Sequence, residues 1–377
     1  MKDGLTWIEL SKKNFIKNIK AIRSVIGKKV ILAPCVKANA YGHGLVESAK
    51  ILSKNGADWL CVDTTDEGLL LRKNKILCPI LIMGFIYEDE ISRVVSNGFR
   101  IFLYDYALAK SLSKAGFRQK KVALVHIKVD TGMSRQGVKI NDLKDFIVKV
   151  AKLPYIKIEG LATHFATSDE LSNKSYYRAQ KKRFSQSLEI AKKIIHYTLI
   201  AHCANSGAIL SDRSSHYSMI RPGIISYGYY PSPEVKKYCL KKGIRLYPVL
   251  SLYTKIVQVK KIEKGDAVSY GSTFIAPKDM RIAVLPVGYY DGIGRILSNV
   301  GSMIIHGKRA KILGRVCMNM TMVDISSIPN VTTGDSALII GKQGKGEIPA
   351  DEIAKLSQTI NYEVLIRLRE SAKRIVI

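Results

Sequence analysis

At 377 residues the chain is longer than one ordinary core accommodates, so two domains are expected. Hydrophobic residues make up 47% and charged residues 24%, the balance of a globular protein, and no apolar run approaches the length of a membrane span. The formal net charge of +29 fits a nucleic-acid or anionic-membrane partner, but the lysines are scattered (Lys12, Lys13, Lys28, Lys29, Lys181, Lys182, Lys236, Lys237, Lys241, Lys242) and no helix-turn-helix, zinc finger or aromatic-basic platform accompanies them, so a solvated lysine-rich surface with no specific nucleic-acid partner is expected.

The start, Met1-Lys2-Asp3-Gly4-Leu5-Thr6-Trp7-Ile8-Glu9-Leu10, lacks the apolar core of a signal peptide, and a cytoplasmic location is expected. The short alternating run Thr6–Leu10 is expected to add an edge strand to a second, β-rich domain. Apolar, strand-like runs then alternate with helical patterns. The predicted strands are Val30–Lys37, Trp59–Val62, Pro79–Met83, Arg100–Leu103, Val122–Val129, Ile158–Thr163, Leu199–Cys203 and Met219–Arg221. Helical patterns cover Leu45–Ser53, Asp66–Lys73, Tyr106–Lys114, Asn141–Lys152 and Tyr176–His196. Strand and helix in eightfold alternation argue for an α/β fold, a parallel (β/α)8 barrel of the TIM type, although doubly wound sheets share the period. Pro34 is awkward in the first strand, since it removes a ladder donor.

After about residue 240 the pattern changes. Val249–Lys260, Ile282–Val287, Ser302–Ile305, Ala310–Leu313, Val316–Ile325 and Ala337–Ile340 read as strands, with one helix near Ala350–Gln358 after Pro349. The division expected is residues 1–240 for the barrel, with residues about 5–11 pairing with the β domain, and residues 241–377 for the mainly-β domain. The cysteines Cys35, Cys61, Cys78, Cys203, Cys239 and Cys317 form no CxxC pairs or ligand spacings, so neither a disulfide framework nor a metal site is expected.

Chemistry enters at Val36-Lys37-Ala38-Asn39-Ala40-Tyr41-Gly42-His43-Gly44. A lysine ending an apolar strand is costly unless its pKa falls or it is used, and a desolvated lysine forms Schiff bases with carbonyl compounds. A following loop with Tyr41, Gly42 and Gly44 could hold a phosphate. Together they point to pyridoxal 5'-phosphate (PLP); a lysine snorkelling at a strand end fits the same residues. Further reactive residues come after the later strands: Asp130 to Arg135 after the fifth, His164 after the sixth, Asn205 and Ser206 after the seventh, Arg221 and Gly223 after the eighth. That is the distribution a barrel's active face needs, and it favours the barrel over the doubly wound sheet.

VKANAYGHG resembles the PLP-lysine signature of the alanine racemase family. Other segments carry the resemblance to nearly the whole chain: HIKVDTGMSRQG at 126–137, EGLATHFATSDE at 159–170, HCANSGA at 202–208, IRPGIISYG at 220–228, VSYGSTF at 268–274, PVGYYDGIGR at 286–295, GRVCMNMTMVDI at 314–325 and TINYEV at 359–364. The resemblance implies a two-base racemase interconverting L- and D-alanine, supplying D-alanine for peptidoglycan. Lys37 would be one base and Tyr270 the other, in a homodimer whose sites are shared between subunits. It assigns Arg221 to the pyridine nitrogen of PLP and His164 to its ring. Tyr41, Ser206, Gly223, Ile224 and Tyr362 would hold its phosphate. Arg135, with the Met318 backbone, would take the substrate carboxylate. Lys128 matches a lysine carbamylated in some members, where it orients that arginine; Tyr289 lines the entrance, and Asn205 supports the site. Without the resemblance, Tyr270, Arg221 and His164 read more readily as structural residues. Asn319 departs from the family, which usually has aspartate there; the departure opens an alternative reading, a racemase of broader scope that includes serine.

Overall fold

A computed structural model describes residues 4–377. Met1–Asp3, the first residues of the stretch read as lacking a signal peptide, lie outside the described residues. The chain divides into two units. One comprises Asn14–Ala40 and Ser48–Tyr247; the other takes the N-terminal segment to Lys13, Tyr41–Glu47 and Pro248–Ile377.

In the first unit, among the described residues, eight short strand segments close a ring in chain order: Ile31–Leu32, Leu60–Val62, Ile80–Ile82, Arg100–Leu103, Ala123–Asp130, Ile156–Ala162, Ile200–His202 and Met219–Ile220. Neighbours pair in parallel from the second strand to the seventh, and the eighth pairs in parallel with the first. A parallel bridge between Cys35 and Cys61 joins first to second. The Ser218 and Arg221 amides, donating to the Ala201 and Ala204 carbonyls at 3.0 Å each, join seventh to eighth. The strands are buried throughout their middles, as a parallel sheet covered on both faces requires.

The first strand is shorter than the predicted Val30–Lys37. Pro34 brings no N–H, yet its carbonyl accepts from the Cys61 amide at 2.9 Å, and the ladder resumes with the Val36 amide on the Cys61 carbonyl at 2.8 Å. Lys37 therefore leaves the ring just above the proline, and the chain does not then enter an ordinary helix. Ala38, Asn39, Ala40 and Tyr41 all have φ between 52° and 54°, a left-handed turn.

The helices packed around the ring start where side chains can cap them. Thr64 and Glu67 form a capping box on Thr65–Lys73, and Asp105 accepts from the Ala107 amide at the head of Tyr106–Gln119. The patterns at Leu45–Ser53, Asn141–Lys152 and Tyr176–His196 correspond to Leu45–Lys54, Ile140–Ala151 and Ser175–Lys192. Sequence patterning missed Lys12–Ile26 and Pro233–Lys241. The second is capped by Ser232 with proline at its first position, a signal that was present.

The second unit is built on one mixed sheet. Its order is Gln258–Ile262, Met280–Leu285, Thr321–Asp324, Lys308–Leu313, Ser302–Ile305, Ser336–Gln343, Leu250–Lys255, Thr6–Leu10 and Lys373–Val376. Thr6–Leu10 is not the edge strand expected. It lies between Leu250–Lys255, antiparallel, and Lys373–Val376, parallel, and that last strand was not predicted. The expected single strand Val249–Lys260 is two, because the chain changes partners at Ile256. Leu250–Lys255 pairs with Thr6–Leu10 and Ser336–Gln343, whereas Gln258–Ile262 pairs with Met280–Leu285. Only Thr321–Asp324 of the expected Val316–Ile325 is strand, and the residues before it form a loop. Ile262, Val268, Met280, Ile282 and Leu313 form one apolar cluster beneath the sheet, and Ile304, Leu338 and Ile348 another.

Candidate active site

Most of the residues singled out in the first unit stand at the C-terminal ends of the barrel strands. Lys37 Nζ donates to Asp63 Oδ1 at 2.9 Å, from the end of the first strand to the end of the second. Glu67 ties the two ends together beneath this pair: one carboxylate oxygen accepts from the Ala38 amide and the other from the Asp63 amide, both at 2.7 Å. Glu67 thus holds the left-handed turn while completing a helix cap. Asp63 and Glu67 escaped the sequence reading, since an acid at a strand end has no signature of its own.

Lys128 is buried within Ala123–Asp130, its Nζ 4.9 Å from the Phe102 ring centre. Burial, and then the nearby Arg221 and Arg135, push its amine well below the ordinary lysine value. Arg135 lies in the loop after that strand. Asp130 Oδ1 shapes this loop by accepting the amides of Gly132, Met133 and Ser134 at 2.9, 3.0 and 3.0 Å. Helix Ser175–Lys192 clamps it from outside: Arg183 donates to the Thr131 carbonyl at 3.0 Å and Tyr176 to the Gly132 carbonyl at 2.6 Å. Gln180 of that helix also reaches the next loop, donating to the His164 carbonyl at 3.1 Å. Burial, followed by Lys128, Arg221 and Arg135, holds the His164 ring well below the usual imidazole range, so it is neutral near neutral pH.

Asn205 caps helix Ser206–Ser211 and donates to the Phe165 carbonyl at 3.2 Å, joining the loops that carry His164 and Ser206. Ser206 Oγ accepts the Gly223 amide at 3.0 Å, and Ile224, fully buried, opens the next turn. With the Gly223 amide given to it, the Ser206 hydroxyl keeps its own proton to donate, a neutral donor beside a backbone turn of the kind that suits a phosphate. Arg221, 3% exposed, donates to the Thr163 carbonyl at 2.7 Å and meets His202 Nδ1. A donor-only guanidinium, a neutral imidazole, a primary amine and a phosphate cradle at one end of a barrel match the donor set that PLP needs.

The second unit holds the remaining residues. The rings of Tyr41 and Tyr362 lie 6.1 Å apart. Gly42 follows with φ +83°, and a Cβ there would stand 2.1 Å from the Leu365 carbonyl oxygen, so no other residue fits. Tyr270 is 69% exposed at the head of a short 3-10 turn. Loops 268–274 and 286–295 converge on the loop that carries Met318 and Asn319. Ser269 Oγ donates to the Arg315 carbonyl at 2.6 Å, and the Tyr289 and Tyr290 amides donate to the Cys317 and Met318 carbonyls at 3.0 Å each. Tyr289, Met318 and Asn319 are exposed there. Among the described residues no helix is long and apolar enough to cross a membrane.

Two family models match the chain in succession: alanine racemase, N-terminal domain, over residues 10–231, and alanine racemase, C-terminal domain, over residues 249–376. Among curated relatives, alanine racemase 2 of Caldanaerobacter subterraneus subsp. tengcongensis is 40% identical over 99% of this chain and 95% of its own length. Alanine racemase of Methanococcus maripaludis is 40% identical over 98% of both. Among solved structures, alanine racemase of Clostridium difficile 630 superposes with a TM-score of 0.93 at 34% identity, covering 99% of this chain and 96% of that one. The Bacillus anthracis alanine racemase with bound L-Ala-P superposes with a TM-score of 0.92 at 34% identity, covering 99% and 95%.

Proposed function

The chain belongs to the alanine racemase family, whose members use PLP, and from that premise we propose how its own residues carry the interconversion of L- and D-alanine. When bound, the cofactor supplies an electron sink that makes the α-proton of alanine removable. Lys37 Nζ takes or returns that proton on one face and Tyr270 Oη on the other, the arrangement an inversion requires. Arg221 would donate to the ring nitrogen of the bound cofactor. Because a guanidinium is never a practical acid, it would leave that nitrogen unprotonated and so restrain the electron sink.

Ser206 and the Gly223 and Ile224 amides would hold the phosphate, with the hydroxyls of Tyr41 and Tyr362. His164, neutral, would pack on the cofactor ring. Arg135 and the Met318 backbone take the substrate carboxylate, Lys128 orients Arg135, Asn205 braces the cradle and Tyr289 lines the entrance. The working form is a cytoplasmic homodimer in which Tyr270 of one subunit serves the Lys37 of the other. Its D-alanine would feed cell-wall precursor synthesis. The observation that carries this reading is the gathering of Lys37, His164, Arg221 and the Ser206–Gly223 cradle at one end of the barrel. Serine as a further substrate has only Asn319 behind it, and no contact of that exposed amide favours a hydroxylated side chain.

The test is direct. Purified protein with added PLP should racemise L-alanine, and borohydride reduction should leave a pyridoxyl group on Lys37. An adduct found solely on another lysine ends the assignment.

A further inference from the structure

Arg221 is a buried cation whose direct partners, the Thr163 carbonyl and the His202 ring, carry no negative charge. A row of side chains from five barrel strands and their ends links it to a carboxylate, Glu159, that is itself paired with Arg100. His202 Nε2 meets His126 Nδ1 at 2.7 Å, and His126 Nε2 meets Glu159 Oε2 at 3.1 Å. Arg100 grips the same carboxylate with Nε at 3.0 Å and Nη2 at 3.3 Å. Both histidines are fully buried. Trp59 stands edge-on to His126 with centroids 5.8 Å apart, and Phe102 stacks on His202 at 5.9 Å, which fixes both ring planes.

The direction of every hydrogen bond in this row is set by its two ends. A guanidinium has no acceptor, so His202 Nδ1 must accept and carries no proton. A neutral His202 then carries its proton on Nε2 and donates it to His126 Nδ1. His126 in turn must be protonated on Nε2, which donates to the Glu159 carboxylate. Burial holds both rings below the ordinary imidazole value, which keeps them neutral. Burial alone would raise the Glu159 carboxyl, but the hydrogen bonds from His126 and Arg100 bring it below its ordinary value. The row is therefore ordered one way, each hydrogen bond donating from the Arg221 end toward the Glu159 carboxylate. One ring turned to the other tautomer would set a donor against a donor and push Arg221 aside.

We propose that Glu159 and Arg100 are positioning residues for the racemase reaction: by fixing both histidine tautomers, they hold the Arg221 guanidinium in place as a donor. This rests on the reading of Arg221 given above. Neither residue touches the cofactor or the substrate in that reading; both act through the two histidines.

The test begins with the unaltered full-length protein labelled with 15N at its seven histidines. The signals of His126 and His202, assigned by single His→Asn replacements, should both report the Nε2–H tautomer near neutral pH. An imidazolium or an Nδ1–H ring at either position overturns the proposal. In the PLP-loaded enzyme, Glu159→Leu removes the acceptor. It should lower kcat about tenfold with the KM for alanine within about twofold, the loss of one charge-assisted hydrogen bond. Glu159→Gln still accepts from His126 and should recover most of that loss. Unchanged kcat in the leucine variant, or equal losses in both, overturns the proposal. Should the leucine variant not fold, the tautomers of the unaltered protein still decide. Failure of the functional reading looks different: the unaltered protein would not racemise alanine, whatever its tautomers.

Discussion

Lys128 is the residue at which burial and charge conflict most directly. Its side chain is buried, with the residue 4% exposed; it faces Arg221 and Arg135, and its amine is held well below the ordinary lysine value of 10.5. The unfolded chain keeps that proton up to the ordinary value, so between the two values the unfolded state binds more protons and stability rises with pH. Below the folded value the penalty is at its full size. Methionine has a similar volume and no charge to desolvate. Lys128→Met should therefore melt at a higher temperature than the unaltered protein near neutral pH, and the gap should close as pH approaches 10.5. Calorimetry of both proteins across that range checks it. A gap that does not change with pH would mean that the amine is not desolvated in the folded state. The direction also bears on the role proposed for Lys128, since an amine that gives up its proton more readily adds less repulsion to the guanidinium it is to orient.

Among the elements, the left-handed turn at 38–41 is the one the general rules of helix formation least anticipate. Residues other than glycine lose roughly 1–2 kcal/mol each in this conformation. The turn persists because Glu67 holds the Ala38 amide and the Ala40 amide bonds back to the Val36 carbonyl at 2.8 Å. Ala38→Gly should relieve the steric part while losing chain entropy, for a net gain of about 0.5 kcal/mol in stability. Chemical denaturation measures it, and a destabilised variant would show that the alanine methyl contributes packing larger than the strain. The same element marks how far the sequence could be read. Eight buried parallel strands announce themselves as apolar runs, because both faces of such a strand are covered. The reactive residues after them were legible from position alone, and their roles only through family resemblance. Asp63, Glu67, His126, Glu159, His202 and Arg100 were not singled out, although His126, Glu159 and His202 each open a segment that carries the resemblance. What identifies them is a partner far along the chain: 76 residues separate His126 from His202, and 33 separate it from Glu159. In the β unit the alternating pattern located strands and misjudged their ends. Strand ends there are set by changes of partner, as at Ile256, and pairing between Thr6–Leu10 and Lys373–Val376 joins segments from opposite ends of the chain.

For the molecule as a whole, charge and assembly each yield a test. The net charge of +29 resides in lysines spread over many elements, so binding to DNA or RNA should be weak, indifferent to sequence and steeply reduced by salt. Filter binding at low and near-physiological salt measures this, and tight sequence-specific binding at the higher salt would contradict a merely solvated surface. Assembly bears on the reaction itself. Lys37 belongs to one unit and the exposed Tyr270 to the other, and the proposed two-base site draws Tyr270 from the neighbouring subunit. Homodimers of Lys37→Ala and of Tyr270→Phe should each be nearly inactive, since each lacks one base in both sites. In a mixed dimer, one site receives both substitutions, the alanine from the first variant and the phenylalanine from the second, and is doubly lesioned. The other combines the intact Lys37 with the intact Tyr270. Mixing the two inactive proteins under conditions that allow subunit exchange should therefore restore activity, up to about one working site in each mixed dimer. A site built within a single chain predicts the reverse, because every site in the mixture then keeps one lesion. Absence of recovery after demonstrated exchange would place both bases in the same subunit.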